Sequence, residues 1–287
     1  MVEDKNQSVE LTDHEAELYD RQIRLWGLES QKRLRAAKIL LIGLNGFGAE
    51  IAKNIILAGV KSVTFLDHRN VTVEDRCSQF LTPKELIEKN RAEASIQRAQ
   101  NLNPMVNIEA DTSNIDDKPD TYFSNFDVVC ATQCTITQIN KINEACRKHN
   151  VKFFTGDVWG TLGYTFADLM THEYVEDVVQ TKKVQISESV MLNYREKYGK
   201  DPSPSERGSE KFKVEASAII KKFDLENKIN HLVEGDIYAQ VSPVCAIVGG
   251  IMAQEIIKTV SQKGAPHNNL FLFNPDTLCG KILRLGQ

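Results

Sequence analysis

Residues 38–67 read KILLIGLNGFGAEIAKNIILAGVKSVTFLD. Ile39 to Ile42 form an unbroken apolar run, as expected of a parallel strand buried on both faces. Gly43, Gly46 and Gly48 crowd a tight turn after it, and Ile51, Ile55 and Ala58 then recur at helical spacing. Gly59 closes that helix, and Val63 to Leu66 read as a second buried strand ending in Asp67. A strand, a glycine turn, a helix and a strand, with an acid about 20 residues beyond the turn, is the layout of a nucleotide-binding crossover. Its glycines leave the helix N-terminus open to a phosphate, and Asp67 stands where a ribose hydroxyl would be held. The turn departs from G-x-G-x-x-G at its middle position, Asn45, where glycine normally lets the backbone approach the phosphates. The crossover therefore reads two ways. It is a nucleotide site built on Gly43, Gly46, Gly48 and Asp67, or an inherited fold unit that has lost its ligand.

On both sides of this unit the pattern continues as α/β. Asp13 to Ala36 read as helical, with Tyr19, Ile23 and Trp26 on one stripe and Arg21 and Arg24 on the other side. Residues 1–13 are polar and expected to fray. Thr82-Pro83-Lys84-Glu85 has the form of a helix start, and an alanine-rich helix is expected from there to Pro104. Strands are expected at 106–110, 126–131 and 151–155, with a helix over 135–148. Alternating strands and helices imply a Rossmann-like, doubly wound, mostly parallel sheet with helices on both faces. Past Gly156 the strands at 164–169, 173–179, 270–273 and 282–285 imply an antiparallel C-terminal part. Residues 187–198 and 206–222 allow helices within a polar stretch. Residues 242–258, SPVCAIVGGIMAQEIIK, form a helix apolar on nearly every face of its first half, which must be buried. Gly249 and Gly250 lower its helix propensity, so close approach by another backbone is the expected compensation. The organisation expected is an N-terminal part over 1–179, a polar insertion over 180–234, and residues 235–287 completing the first fold.

Composition bounds the function. The 287 residues can bury a sizeable core, and 41% apolar with 26% charged is ordinary for a globular chain, so no disordered or fibrous class is needed. A net charge of −4 gives no nucleic-acid surface. With no unbroken apolar run of about 18 residues and a polar, acidic start, the expectation is no membrane partner, no secretory signal and a soluble intracellular protein. Cys77, Cys130, Cys134, Cys146, Cys245 and Cys279 are scattered without a CxxC pair, which argues for reduced core thiols and against a disulfide framework or a metal site.

The segments YDRQIRLWG (19–27), the glycine turn, NRAEA (90–94), FFTGDVWGTLGYTFADL (153–169), SPVCAIVGGIMAQEIIK (242–258) and HNNLFLF (267–273) occur in this order. Together they resemble the activating enzymes of ubiquitin-like modifiers, with the ThiF/MoeB-type adenylation fold, and among them the smaller subunits of SUMO-activating heterodimers. The resemblance implies a nuclear half-enzyme, a regulatory subunit whose catalytic partner holds ATP and Mg²⁺, adenylates SUMO and carries the thioester-forming cysteine. It also implies that this half is pseudo-active, with no cofactor in its own site. Active members carry a phosphate-touching arginine where this chain has Ser78, and a lysine near the next helix start where it reads Lys89-Asn90-Arg91. They carry a metal-binding acid where it reads Ala131-Thr132-Gln133-Cys134. In such enzymes the arginine matching Arg21 reaches the partner's ATP site in trans, so Arg21 is the expected catalytic contribution of this chain. Without the resemblance, Arg21 and Arg24 would read as a solvated basic face. Between about Val184 and Val190 the chain lacks several dozen residues that relatives carry. Outside this family, the crossover and Asp67 would suit an NAD-dependent oxidoreductase; within it, the alternative is the regulatory subunit for another ubiquitin-like modifier.

Overall fold

A computed structural model describes residues 11–176, 240–274 and 279–286. The expected helices at 187–198 and 206–222, the shortened join near 184–190, residues 1–10 of the start expected to fray and the boundaries at 179 and 234 lie outside them; of the remainder of that start, Thr12 and Asp13 form the capped beginning of a helix instead. The described strands are β1 (Lys38–Ile42), β2 (Ser62–Leu66), β3 (Asn107–Asp111), β4 (Val128–Thr132), β5 (Lys152–Trp159), β6 (Leu162–Asp168), β7 (Leu270–Asn274) and β8 (Cys279–Leu283). They form one sheet in the order β3-β2-β1-β4-β5-β6-β7-β8. The first five pair in parallel, and β5 to β8 pair antiparallel. This is the mostly parallel α/β sheet with an antiparallel C-terminal part that the alternation of elements implied.

The period-two rule explains why β1 is apolar throughout. Ile39 and Leu41 face one side of the sheet with Val63, Phe65 and Cys130 from neighbouring strands. Leu40 and Ile42 face the other with Leu66, Val129 and Ala131. The first side is covered by α4 (Gly46–Leu57), α5 (Arg91–Leu102) and α7 (Ser242–Ser261), through residues such as Ile51, Ala92 and Met252. The second is covered by α6 (Ile136–Lys148), through Ile142 and Cys146, with Phe123 from the turn before β4. Thr135 caps α6 in a reciprocal capping box with Gln138.

Three local expectations are corrected. The helical stretch from Asp13 to Ala36 is three helices, α1 (Asp13–Leu18), α2 (Asp20–Trp26) and α3 (Leu28–Ala36), broken at Tyr19 and at Gly27, whose φ is 90°. Thr82-Pro83 opens only a short 3₁₀ turn at Lys84–Leu86. The chain there is held instead by backbone bonds between Val71 and the pair Glu88 and Lys89, and α5 starts later, with the Asn90 side chain accepting from Glu93 N–H at 3.1 Å. Helix α7 is long and apolar enough to cross a membrane by length and composition, yet it packs along α4 in the core. Its burial is one-sided: Ala246 and Ile247 are exposed.

The close approach on α7 belongs to Gly249 alone. A Cβ there would lie 2.8 Å from Glu50 Cβ and 3.3 Å from the Phe47 carbonyl oxygen, whereas one on Gly250 would meet nothing within 4 Å. Gly249→Leu should therefore lower stability by about 3 kcal/mol or more, at the upper end of overpacking costs, and Gly250→Leu should leave the isolated chain's melting temperature nearly unchanged. Equal melting temperatures for the two variants would contradict this packing.

Candidate functional site

Order 3-2-1-4-5 places a topological switch between β1 and β4, the position where such sheets bind ligands beyond the carboxyl ends of their strands. Gly43, with φ 85°, turns the chain out of β1, and α4 begins three residues on. In this turn the chain supplies its own partners for the groups that would meet a phosphate. Asn45 is buried and its Oδ1 accepts from Gly48 N–H at 2.9 Å. Phe47 N–H donates to Gln240 Oε1 at 3.0 Å, across 193 residues of sequence. A Cβ on Gly46 would overlap the Ser78 hydroxyl, so the space that a bare glycine leaves for a phosphate oxygen is taken by Ser78. Gln79, also buried, donates to the Leu44 carbonyl at 2.6 Å and holds the turn from behind.

Asp67 is equally engaged. Its Oδ2 accepts from Leu44 N–H at 2.8 Å and from Arg91 Nε at 2.8 Å, and its Oδ1 accepts from Arg69 N–H at 2.9 Å. The Arg91 guanidinium goes on to donate to Asp75 Oδ1 at 3.1 Å and to Gln133 Oε1 at 2.6 Å. Its side chain is only 4% exposed. Burial works against the charge, but Asp67 and Asp75 override it and raise the guanidinium pKa. One fork of donors thus ties the ends of three segments together. As arranged, Gly46, Asn45 and Asp67 do not fit a triphosphate nucleotide.

Beside this cluster a small pocket is lined by Ile42, Leu66, Ile115, Thr132, Gln133 and Cys134, among others. Burial pushes the Cys134 thiol up to about 12, so it is not a thiolate at neutral pH. Asp157, at the end of β5, accepts from Gln240 Nε2 at 3.2 Å, and burial raises its carboxyl to about 6. Of the other cysteines, Cys130, Cys146 and Cys245 are buried, whereas Cys77 and Cys279 are exposed, against the expectation of core thiols throughout. Among the described residues no three His, Cys, Asp or Glu side chains are grouped to hold a metal ion.

Residues 19–285 match the ThiF family. The chain belongs to that family. SUMO-activating enzyme subunit 1 of Xenopus laevis is 41% identical to it, with all of both chains covered. The human protein of the same name is 41% identical over 96% of each chain. The Xenopus alignment runs to 348 positions against the 287 residues here, so that relative carries residues this ThiF chain lacks. Among solved structures, Escherichia coli MccB with MccA-N7isoASN superposes with a TM-score of 0.66, covering 98% of this chain and 74% of MccB at 14% identity. PaaA superposes with a TM-score of 0.66 at 16% identity, covering 96% and 85%. At those identities the likeness is one of fold.

The remaining ThiF site residue expected from sequence, Arg21, lies apart from the crossover turn, on the exposed side of α2. Among the described residues it has no hydrogen bond or ion pair, while Arg24 is paired with Asp20 at 3.0 Å. The stripe opposite holds: Tyr19 is buried, and Trp26 packs on the core and donates from Nε1 to Gln31. Sequence reasoning missed Arg91 and Gln240 as parts of the site. An arginine followed by Ala92, Ala94 and Ser95 at the buried start of a helix was a signal for the first. Nothing local marked Gln240, whose partners are distant in sequence.

Proposed function

We propose that this chain is the regulatory, non-catalytic subunit of a heterodimeric SUMO-activating enzyme. ATP and Mg²⁺ are held by the catalytic partner, which adenylates SUMO and takes it as a thioester on its own cysteine, in the nucleus. The observation that carries this reading is a contrast within one chain. The crossover has spent its phosphate-facing N–H groups and its ribose-facing carboxylate on its own side chains, while Arg21 stands on the surface with no counter-charge among the described residues. A charge that its own subunit cannot use suits a site on another. The exposed Ala246 and Ile247 of α7, with Gly250 between open space and the core and Val241 at 39% exposure, provide an apolar face for a subunit contact. The names of the relatives supply the modifier. An oxidoreductase using NAD would need the same Asp67 and the same helix N-terminus.

The test is reconstitution. The chain mixed with a catalytic SUMO-activating subunit, SUMO, ATP and Mg²⁺ should give a SUMO thioester on the partner, and the chain alone should give no ATP–pyrophosphate exchange. Exchange by the chain alone above a no-protein blank, or no thioester from the mixture, would overturn the proposal.

A further inference from the structure

Helix α2 buries none of its own residues fully, and only Trp26 of it packs on the core. Its direction is also fixed by side chains that run to three consecutive carbonyls at the C-terminal end of α4. Asn103 Nδ2 donates to the Ile56 carbonyl at 3.0 Å, Gln22 Nε2 to that of Leu57 at 3.0 Å, and Gln31 Nε2 to that of Ala58 at 3.0 Å. The last carbonyls of a helix lack their i+4 partners; that of Ile56 also accepts from Gly59 N–H at 3.0 Å and shares its oxygen with Asn103. Asn103 and Gln31 in turn hold the two ends of α2. The same Asn103 amide donates to the Tyr19 hydroxyl at 2.8 Å at the N-terminal end, and Gln31 Oε1 accepts from Trp26 Nε1 at 2.9 Å at the C-terminal end. The Tyr19 ring fills the space over Gly59, where a Cβ would lie 2.5 Å from the ring. Asn103 is itself fixed, its Oδ1 accepting from Met105 N–H at 3.1 Å. On α2 this mount leaves Arg21 exposed, with Leu25 exposed by 75%.

We infer that Tyr19 and Asn103 are positioning residues for Arg21: the carbonyl end of α4 is a mount that fixes α2 so that Arg21 meets an anionic group on another subunit at one orientation. The inference rests on the proposed trans role of Arg21. It assigns a use to the end of the crossover helix opposite the one that binds phosphate in nucleotide-binding crossovers. A planar guanidinium gives up less entropy per bond when its backbone is already held, and misplacement by about 1 Å is costly at a reacting phosphate.

The experiment uses the reconstituted heterodimer and reads kcat and KM for ATP in SUMO adenylation, with partner affinity and melting temperature alongside. The variants are Tyr19→Phe, which keeps the ring on Gly59 and removes the hydroxyl, Asn103→Ala, Arg21→Ala, and Tyr19→Phe combined with Arg21→Ala. Tyr19→Phe should lower kcat/KM for ATP by about five-fold, the scale of one lost hydrogen bond, at wild-type partner affinity. Asn103→Ala should do so at least as strongly. In the Arg21→Ala background Tyr19→Phe should add nothing, because the group it positions is gone. The inference is overturned if Tyr19→Phe and Asn103→Ala leave kcat/KM at the wild-type value while Arg21→Ala lowers it, or if Tyr19→Phe costs as much without Arg21 as with it. A wild-type rate for Arg21→Ala would instead remove the trans role, leaving nothing to position.

Discussion

Replacing Arg91 by Met should destabilise the chain by about 3–5 kcal/mol, the cost of leaving buried charge without its partner. The guanidinium bridges two carboxylates, Asp67 and Asp75, that are 3% and 8% exposed. Methionine fills much of the same volume, so the loss comes from uncompensated charge rather than from a cavity. Asp67 would keep its two backbone donors and Asp75 would keep Thr72 N–H, which limits the damage without neutralising either group. Arg91→Lys should restore only part of the stability, because one ammonium cannot reach Asp67, Asp75 and Gln133 with a fixed fork. Adding Asp67→Asn and Asp75→Asn to Arg91→Met should recover most of the loss, as removal of a whole buried ionic set is often close to neutral. Denaturant unfolding of the four proteins measures all of this. A loss below about 1 kcal/mol for Arg91→Met would mean that water reaches the carboxylates and the cluster does not hold the site.

Arg21→Ala should lower SUMO adenylation by the heterodimer at limiting ATP by at least about ten-fold, toward the ~10³-fold scale of arginines supplied in trans to phosphoryl groups. Folding should be spared, since the side chain is exposed and has no partner among the described residues. Arg21→Lys should rescue only part of the rate, keeping the charge but losing the paired donors. The measurement is adenylation rate against ATP concentration, with dimer affinity determined separately so that weakened assembly is not mistaken for weakened chemistry. A wild-type rate for Arg21→Ala at limiting ATP would make this arginine a solvated surface charge.

The sheet was legible because its central strands are apolar on both faces, a pattern that Ile39 to Ile42 and Val63 to Leu66 carry within five residues each. Helix α6 was legible from the helical spacing of Ile139, Ile142 and Cys146. The helix boundaries that failed were decided at a distance. The first helical stretch breaks at Tyr19, whose ring packs against Gly59, and the helix start at Thr82 is overridden by backbone pairing of Val71 with Lys89. Side-chain periodicity contains neither contact. For the same reason a sequence pattern could not separate Gly249 from Gly250, which differ only in what faces them. In the crossover, Asn45 and Ser78 stand out because they replace residue types that the chemistry needs. The cluster around Arg91 does not, since its partners lie 24, 16 and 42 residues away.

The Arg91 fork has a further consequence. A fold whose binding cleft is filled by a diffusible nucleotide gains stability in proportion to the logarithm of that nucleotide's concentration. Here the cation that engages Asp67 is tethered to the chain, so its local concentration is constant and every molecule carries one. On the proposed reading of this crossover as inactive, the folded fraction of this ThiF chain would be uncoupled, through its own cleft, from the energy charge of its surroundings. Any response to nucleotide supply would have to arrive through a second chain.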